Sequence, residues 1–134
     1  MLTTTLRLAI VSLVVLLLLN IITSAQAPTR IKFRRGSARA DVSGTLNGFK
    51  SKRIYVIRVR DAQVLKTEQI GSGSRRITIV IKEPNGNYVE DSDASCNDHH
   101  EVLPTTAGDY RIEVTECRKA DPWRGRFTFR VTVR

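Results

Sequence analysis

Cys96, Cys117, His99 and His100 are the only cysteines and histidines in the 134-residue chain. Three of the four fall between positions 96 and 100, next to Glu90, Asp91, Asp93 and Asp98. These residue types admit four chemistries. A single disulfide, Cys96 to Cys117, would fasten the acidic stretch to the segment that follows it, and closing a loop of this size stabilises by roughly 3 kcal/mol in the chain-entropy account. A zinc site is the second, because Cys-x-x-His is a known ligand spacing, although adjacent histidines seldom point at one metal and no second paired motif exists. The third is calcium on Glu90, Asp91, Asp93 and Asp98. An EF-hand is excluded, since counting from Asp91 puts Cys96 where Gly is needed and Val102 where Glu is needed. The fourth is general-base catalysis by His99 or His100. No Ser stands in a G-x-S-x-G elbow, and histidines in an acid-rich polar stretch read as solvated loop residues. The sequence therefore predicts no catalytic residue, no metal and no cofactor.

What positions these groups begins after residue 27. Met1 to Ala27 carries Arg7 as its only charge, an apolar run from Leu8 to Leu19 and the small-residue tail Ser24-Ala25-Gln26-Ala27. This is the pattern of a secretory signal peptide, cleaved after Ala25 or Ala27. The alternative is an uncleaved anchor, for which the apolar run is short of the roughly 20 residues that span a bilayer. Export to the periplasm or beyond is expected, which favours disulfide formation and removes nucleic acid as an everyday partner. Residues 28–134 are enough for one compact domain. They hold 21 Lys and Arg against 13 Asp and Glu, unevenly spread. Segment 28–82 has 14 basic and 3 acidic residues, whereas 83–101 has 6 acidic and no basic ones. One acidic loop is set in a basic body, and basic exported proteins are drawn to anionic envelope polymers.

The hydrophobic period after residue 28 is two nearly throughout, with no helix-length amphipathic run. Strands are expected over 30–33, 38–46, 53–60, 64–70, 76–82, 110–117 and 124–134. Asn47-Gly48, Asp61-Ala62-Gln63 and Pro84-Asn85-Gly86 mark turns between them. The block Leu103-Pro104-Thr105-Thr106-Ala107-Gly108-Asp109 is a turn leading into Tyr110, Ile112 and Val114 on one strand face. The 64–70 strand has a thin apolar pattern and is expected at an edge. Seven or eight strands with turns at this spacing predict an all-β, antiparallel β-sandwich of jelly-roll or Greek-key type. On the last strand Phe127, Phe129, Val131 and Val133 point inward, leaving Arg124, Arg126, Arg130 and Arg134 on the other face. At about 7 Å per two residues, these arginines could meet a repeating polyanion. They could equally protect an exposed edge strand from pairing with neighbours.

The run from Arg30 to Leu65, the LPTTAGDYRIEV block at 103–114 and the closing RFTFRVTV at 126–133 carry a family likeness. The chain resembles the bacterial periplasmic inhibitors of g-type lysozyme and the pre-peptidase C-terminal β-sandwich domains of secreted peptidases. The matching positions are inward apolar residues and turn residues. The acidic segment with Cys96 and the histidines departs from the pattern. The resemblance implies a protein without an activity of its own that blocks the substrate cleft of a g-type lysozyme, and it carries over no inhibitory residue. Complementarity to a cationic enzyme, with the histidines in the same stretch, makes Glu90, Asp91, Asp93, Asp98, His99 and His100 the expected partner-binding group. The alternative is an envelope-associated module docking anionic polysaccharide or peptidoglycan through Arg124, Arg126, Arg130 and Arg134.

Overall fold

The computed structural model describes residues 26–71, 77–90, 96, 99–119 and 121–134. Its elements are eight strands: β1 (Thr29–Arg30), β2 (Arg39–Asn47), β3 (Lys52–Val59), β4 (Leu65–Ile70), β5 (Ile77–Lys82), β6 (His99–Val102), β7 (Gly108–Glu116) and β8 (Arg124–Val133). They form two four-stranded sheets, β1-β3-β7-β5 and β2-β8-β4-β6. All pairs are antiparallel except β1 with β3. From β2 onward each strand lies in the sheet opposite to the one before it, so every connection crosses between layers, as in a jelly roll.

The alternation read from sequence is what closes this sandwich. Tyr55, Ile57 and Val59 of β3, Ile77, Ile79 and Ile81 of β5, and Tyr110, Ile112 and Val114 of β7 turn one face of the first sheet inward. Leu46, Leu65, Phe127, Phe129, Val131 and Val133 answer from the second. Each such side chain stabilises by about 1.5–3 kcal/mol on full burial. At the centre, Tyr55 meets Phe129 edge-on at 5.3 Å and Phe127 at 6.5 Å between ring centroids. Gly44 on β2 makes room for this cluster, because a Cβ there would stand 2.5 Å from both the Phe127 ring and the Tyr55 hydroxyl.

Four expectations change in detail. The first strand is shorter, ending at Arg30, after which Ile31 and Phe33 pack half-buried against the core as the chain crosses to β2. β4 is interior, flanked by β8 and β6. Its pattern is thin because Thr67, wholly buried, takes an inward position where an aliphatic residue would have announced it. Its second neighbour β6 comes from the acidic stretch, which had read as loop. Last, β8 is a central strand between β2 and β4, so its arginines do not guard an edge.

Candidate functional site

The two lateral seams of the sandwich, where one sheet's edge faces the other's, carry the residues that could meet another molecule. On one seam the chain leaves β5 and doubles back along its open edge. Tyr88 bridges Lys82, the Val89 amide donates to the Ile81 carbonyl at 2.9 Å, and the Cys96 amide donates to Thr78 Oγ1 at 2.8 Å. Cys96 is disulfide-bonded to Cys117, with the Cα atoms 4.7 Å apart. The bridge expected from export is thus formed, and neither sulfur is a thiolate for zinc. Cys96 adopts a left-handed backbone with φ of 63°. Cys117 follows β7 directly and is buried, so the bond anchors the acidic segment to a central strand.

Glu116 fixes the same end of the molecule from inside. It continues the inward register of Tyr110, Ile112 and Val114, where a carboxylate stands out in an apolar series, and it is 2% exposed. Its Oε1 accepts from the Gly48 amide at 2.6 Å and its Oε2 from the Trp123 amide at 2.9 Å. One side chain therefore ties the β2–β3 turn to the segment entering β8. This role is readable in sequence only as a charge on the wrong face.

Among the predicted contact residues, Glu90 is exposed at the turn that follows Val89, while Asp91, Asp93 and Asp98 lie outside the described residues. His99 and His100 belong to strand β6 and not to a loop. His100 stands opposite Thr67 on the inward face and is 6% exposed, so the expectation that it is solvated and offered to a partner is corrected. Its neighbour Val102, opposite Leu65, holds the strand to the core and carries His100 inward by the two-residue period. No three His, Cys, Asp or Glu side chains stand together as metal ligands would among the described residues.

The opposite seam and the outer sheet faces are basic. Arg124, Arg126 and Arg130 do share the outer face of β8, with Arg134 just past its end, but their surroundings divide them. Arg130 is clamped by Asp41, Nε to Oδ1 at 2.7 Å and a terminal nitrogen to Oδ2 at 3.0 Å. That hydrogen bond, ahead of the charge, holds the Asp41 carboxyl below its ordinary pKa. Arg130 and Arg134 adjoin Arg39 and Lys66 at one end of the sheet. Arg126 instead lines a cleft with Arg53 and Tyr55 at the seam between β2 and β3. Burial raises the pKa of the Tyr55 hydroxyl, against the Arg53 charge.

Sequence reading missed the outer face of the first sheet. Glu113, 6% exposed, accepts ion pairs from Lys52 at 3.0 Å, Arg111 at 3.0 Å and Lys82 at 3.4 Å. Burial pushes its carboxyl up, and the Lys52 hydrogen bond with the Lys52 and Lys82 charges outweighs this, so the pKa ends below the usual range. Asp109 binds Arg30 at 2.7 Å and stands 4.0 Å from Arg58.

No protein-family model matches the chain, and no curated protein matches its sequence. Solved structures do match its fold. PliG of Salmonella Typhimurium, a periplasmic inhibitor of g-type lysozyme, superposes with a TM-score of 0.62 at 15% identity, over 82% of this chain and 100% of that one. Its counterpart from Aeromonas hydrophila gives 0.60 at 14% identity, over 81% and 96%. The pre-peptidase C-terminal domain of a Bacillus anthracis collagenase gives 0.53 at 19%, over 81% and 95%. The jelly-roll sandwich of this chain is therefore similar in fold to the PliG inhibitors and to a pre-peptidase C-terminal domain.

Proposed function

We propose that the protein is an exported inhibitor of a g-type lysozyme, acting by occupying the enzyme's substrate cleft, with no chemistry of its own. The observation that carries this is the Cys96–Cys117 bond, which tethers at Cys96 the one acidic stretch of an otherwise basic molecule. A covalent tether at Cys96 narrows the conformations open to the stretch around it, so less entropy is lost when that stretch enters a cleft. Its carboxylates, Glu90, Asp91, Asp93 and Asp98, complement a cationic enzyme surface and speed encounter. His99 lies at its boundary with β6, and His100 serves the core instead. The near-complete coverage of the PliG chains supports the reading at the level of fold, and a periplasmic location accords with the apolar leader. The decisive measurement is bacterial cell-wall lysis by a g-type lysozyme with the protein added. Suppression at near-stoichiometric amounts is expected, weakened by replacing the four carboxylates with amides. Undiminished lysis at micromolar excess would overturn the proposal.

A further inference from the structure

Six cations gather where β2 begins and β8 ends. Two grooves, of about 450 and 420 Å³, lie there. Lys66 and Arg134 line the first, Lys32 and Arg34 the second, and Ser37, Arg39 and Arg130 line both. The carboxylates in these walls are Glu68 and Asp41. Each is already engaged, Glu68 with Lys66 at 3.2 Å and Asp41 with Arg130 at 2.7 Å. Among the described residues, Lys32, Arg34, Arg39 and Arg134 have no carboxylate within ion-pair distance. Among the side chains that line the grooves, six are positive and two negative.

The backbone beneath these charges is fixed, which distinguishes the patch from a solvated charge run. A turn with Gly36 at φ of 78° sets Arg34 and Arg39 on either side of it, closed by the Ser37 amide donating to the Arg34 carbonyl at 2.9 Å. Ser37 Oγ donates to the Arg39 carbonyl at 2.8 Å, and the Val133 amide donates to the Ala38 carbonyl at 2.8 Å. The backbone positions that carry these cations are set before any ligand arrives.

We propose that the paired grooves are a docking surface for a linear polysaccharide bearing carboxylate or phosphate groups, separate from the face that meets lysozyme. Guanidinium groups pair with either anion bidentately. Two grooves sharing the Arg39 and Arg130 wall suit a chain that crosses it and presents charge on both sides. Ser37 and Thr132 supply hydroxyls for sugar oxygens. Phe49, Tyr88 and Leu103, the exposed large apolar residues among those described, line neither groove. The patch thus lacks the apolar wedge of a membrane-inserting surface and the aromatic platform on which nucleobases stack.

The test uses protein purified from cells expressing the full chain and fluorescein-labelled polygalacturonate, followed by anisotropy across a salt series. Binding whose logarithm falls linearly with the logarithm of salt is expected, as for other polyanion contacts. R34E/R39E and R124E/R126E change net charge equally. The first pair should weaken binding about tenfold or more and flatten the salt slope, the second less than about threefold. Equal losses in both pairs, or no binding at low salt, would overturn the proposal, as would tighter binding to phosphatidylglycerol vesicles or duplex DNA. Should R34E/R39E fail to fold, amide chemical-shift changes in the unaltered protein decide the matter. They should concentrate in residues 32–39, 66–68 and 130–134, and a pattern scattered elsewhere would count against the grooves. No lysozyme enters the assay, so its outcome is independent of the inhibitor reading.

Discussion

Along the seam beside β5 and β6 the connecting chain is acidic and fastened by a covalent bond, whereas along the seam beside β1 and β2 it is basic and fastened without one. The physical reason lies in what each segment can bury and pair with. Residues 83–101 hold six carboxylates and no basic residue, so they repel one another and have little apolar surface besides Val89 to set against the core. Residues 29–38 insert Ile31 and Phe33 into the core margin and hand Arg30 to Asp109. Self-repelling chain needs a tether; amphipathic chain with partners in place does not. The same difference separates the two proposed partners, an enzyme surface for the acidic seam and a polyanion for the basic side.

The strongest way to break this contrast is to remove the tether. C96A/C117A should lose about 3 kcal/mol of unfolding free energy, the value for closing a loop of this length. Denaturant titration measures the loss, and hydrogen exchange should show it concentrated around β5, β6 and the end of β7, with β1 and β2 little affected. A uniform rise in exchange over both seams would show that the disulfide supports the whole sandwich equally.

Next in size is a change to the basic seam where β2 passes over the aromatic cluster. Gly44→Ala puts a methyl group against the Phe127 ring and the Tyr55 hydroxyl, and overpacking of this kind costs about 2 kcal/mol. The thermal midpoint should fall, and the near-ultraviolet dichroism of the aromatic cluster should change with it. An unchanged midpoint would mean that the rings can withdraw and that the seam is softer than its packing implies.

How much of this was legible depends on whether period two alone was enough. β3, β5, β7 and β8 announce themselves because runs of three or four successive inward positions are Tyr, Ile, Val or Phe, even though β7 ends that series on Glu116. β6 stays hidden because its inward pair is His100 and Val102, and a four-residue strand with one polar inward residue has no period to detect. β4 is visible but misplaced: buried Thr67 makes an interior strand look like an edge. For the site, the disulfide follows from the expectation of export together with the cysteine count. The roles of Asp41, Glu113 and Glu116 do not, since which cations and amides surround them is decided by strand register across sheets and not by neighbours in the chain. The basic grooves join residues from three strands and one turn, so a stripe along β8 was all that a linear reading could assemble.

A smaller effect is expected from the charges that join the two sides. Glu113 on the central strand β7 holds Lys52 of β3 and Lys82 of β5 at once. Its folded pKa is depressed, so its contribution is present above the unfolded value of about 4.3 and is lost as pH falls below that toward the folded value. Asp41 and Asp109, lowered chiefly by hydrogen bonds from Arg130 and Arg30, add to the same slope. Unfolding free energy should therefore decline as pH is brought from 5 to 3, and E113Q should show a shallower decline. Identical slopes in the two proteins would remove Glu113 from the account.

The smallest change sharpens the contrast most locally. Asp109→Asn removes the carboxylate that binds both outer guanidinium nitrogens of Arg30, in a pair exposed enough that water competes for it. The global midpoint should barely move. β1, however, is only two residues long and pairs with β3 along one edge, continued by the Ile31 amide donating to the Val56 carbonyl at 2.9 Å. Losing its side-chain partner should raise exchange at Ile31 while the β7 amides facing β5 stay protected, and raising salt on the unaltered protein should reproduce the effect in part. Protection at Ile31 that persists in D109N would assign the hold on β1 to Ile31 and Phe33 alone, making the basic seam an apolar fastening with charges added outside it.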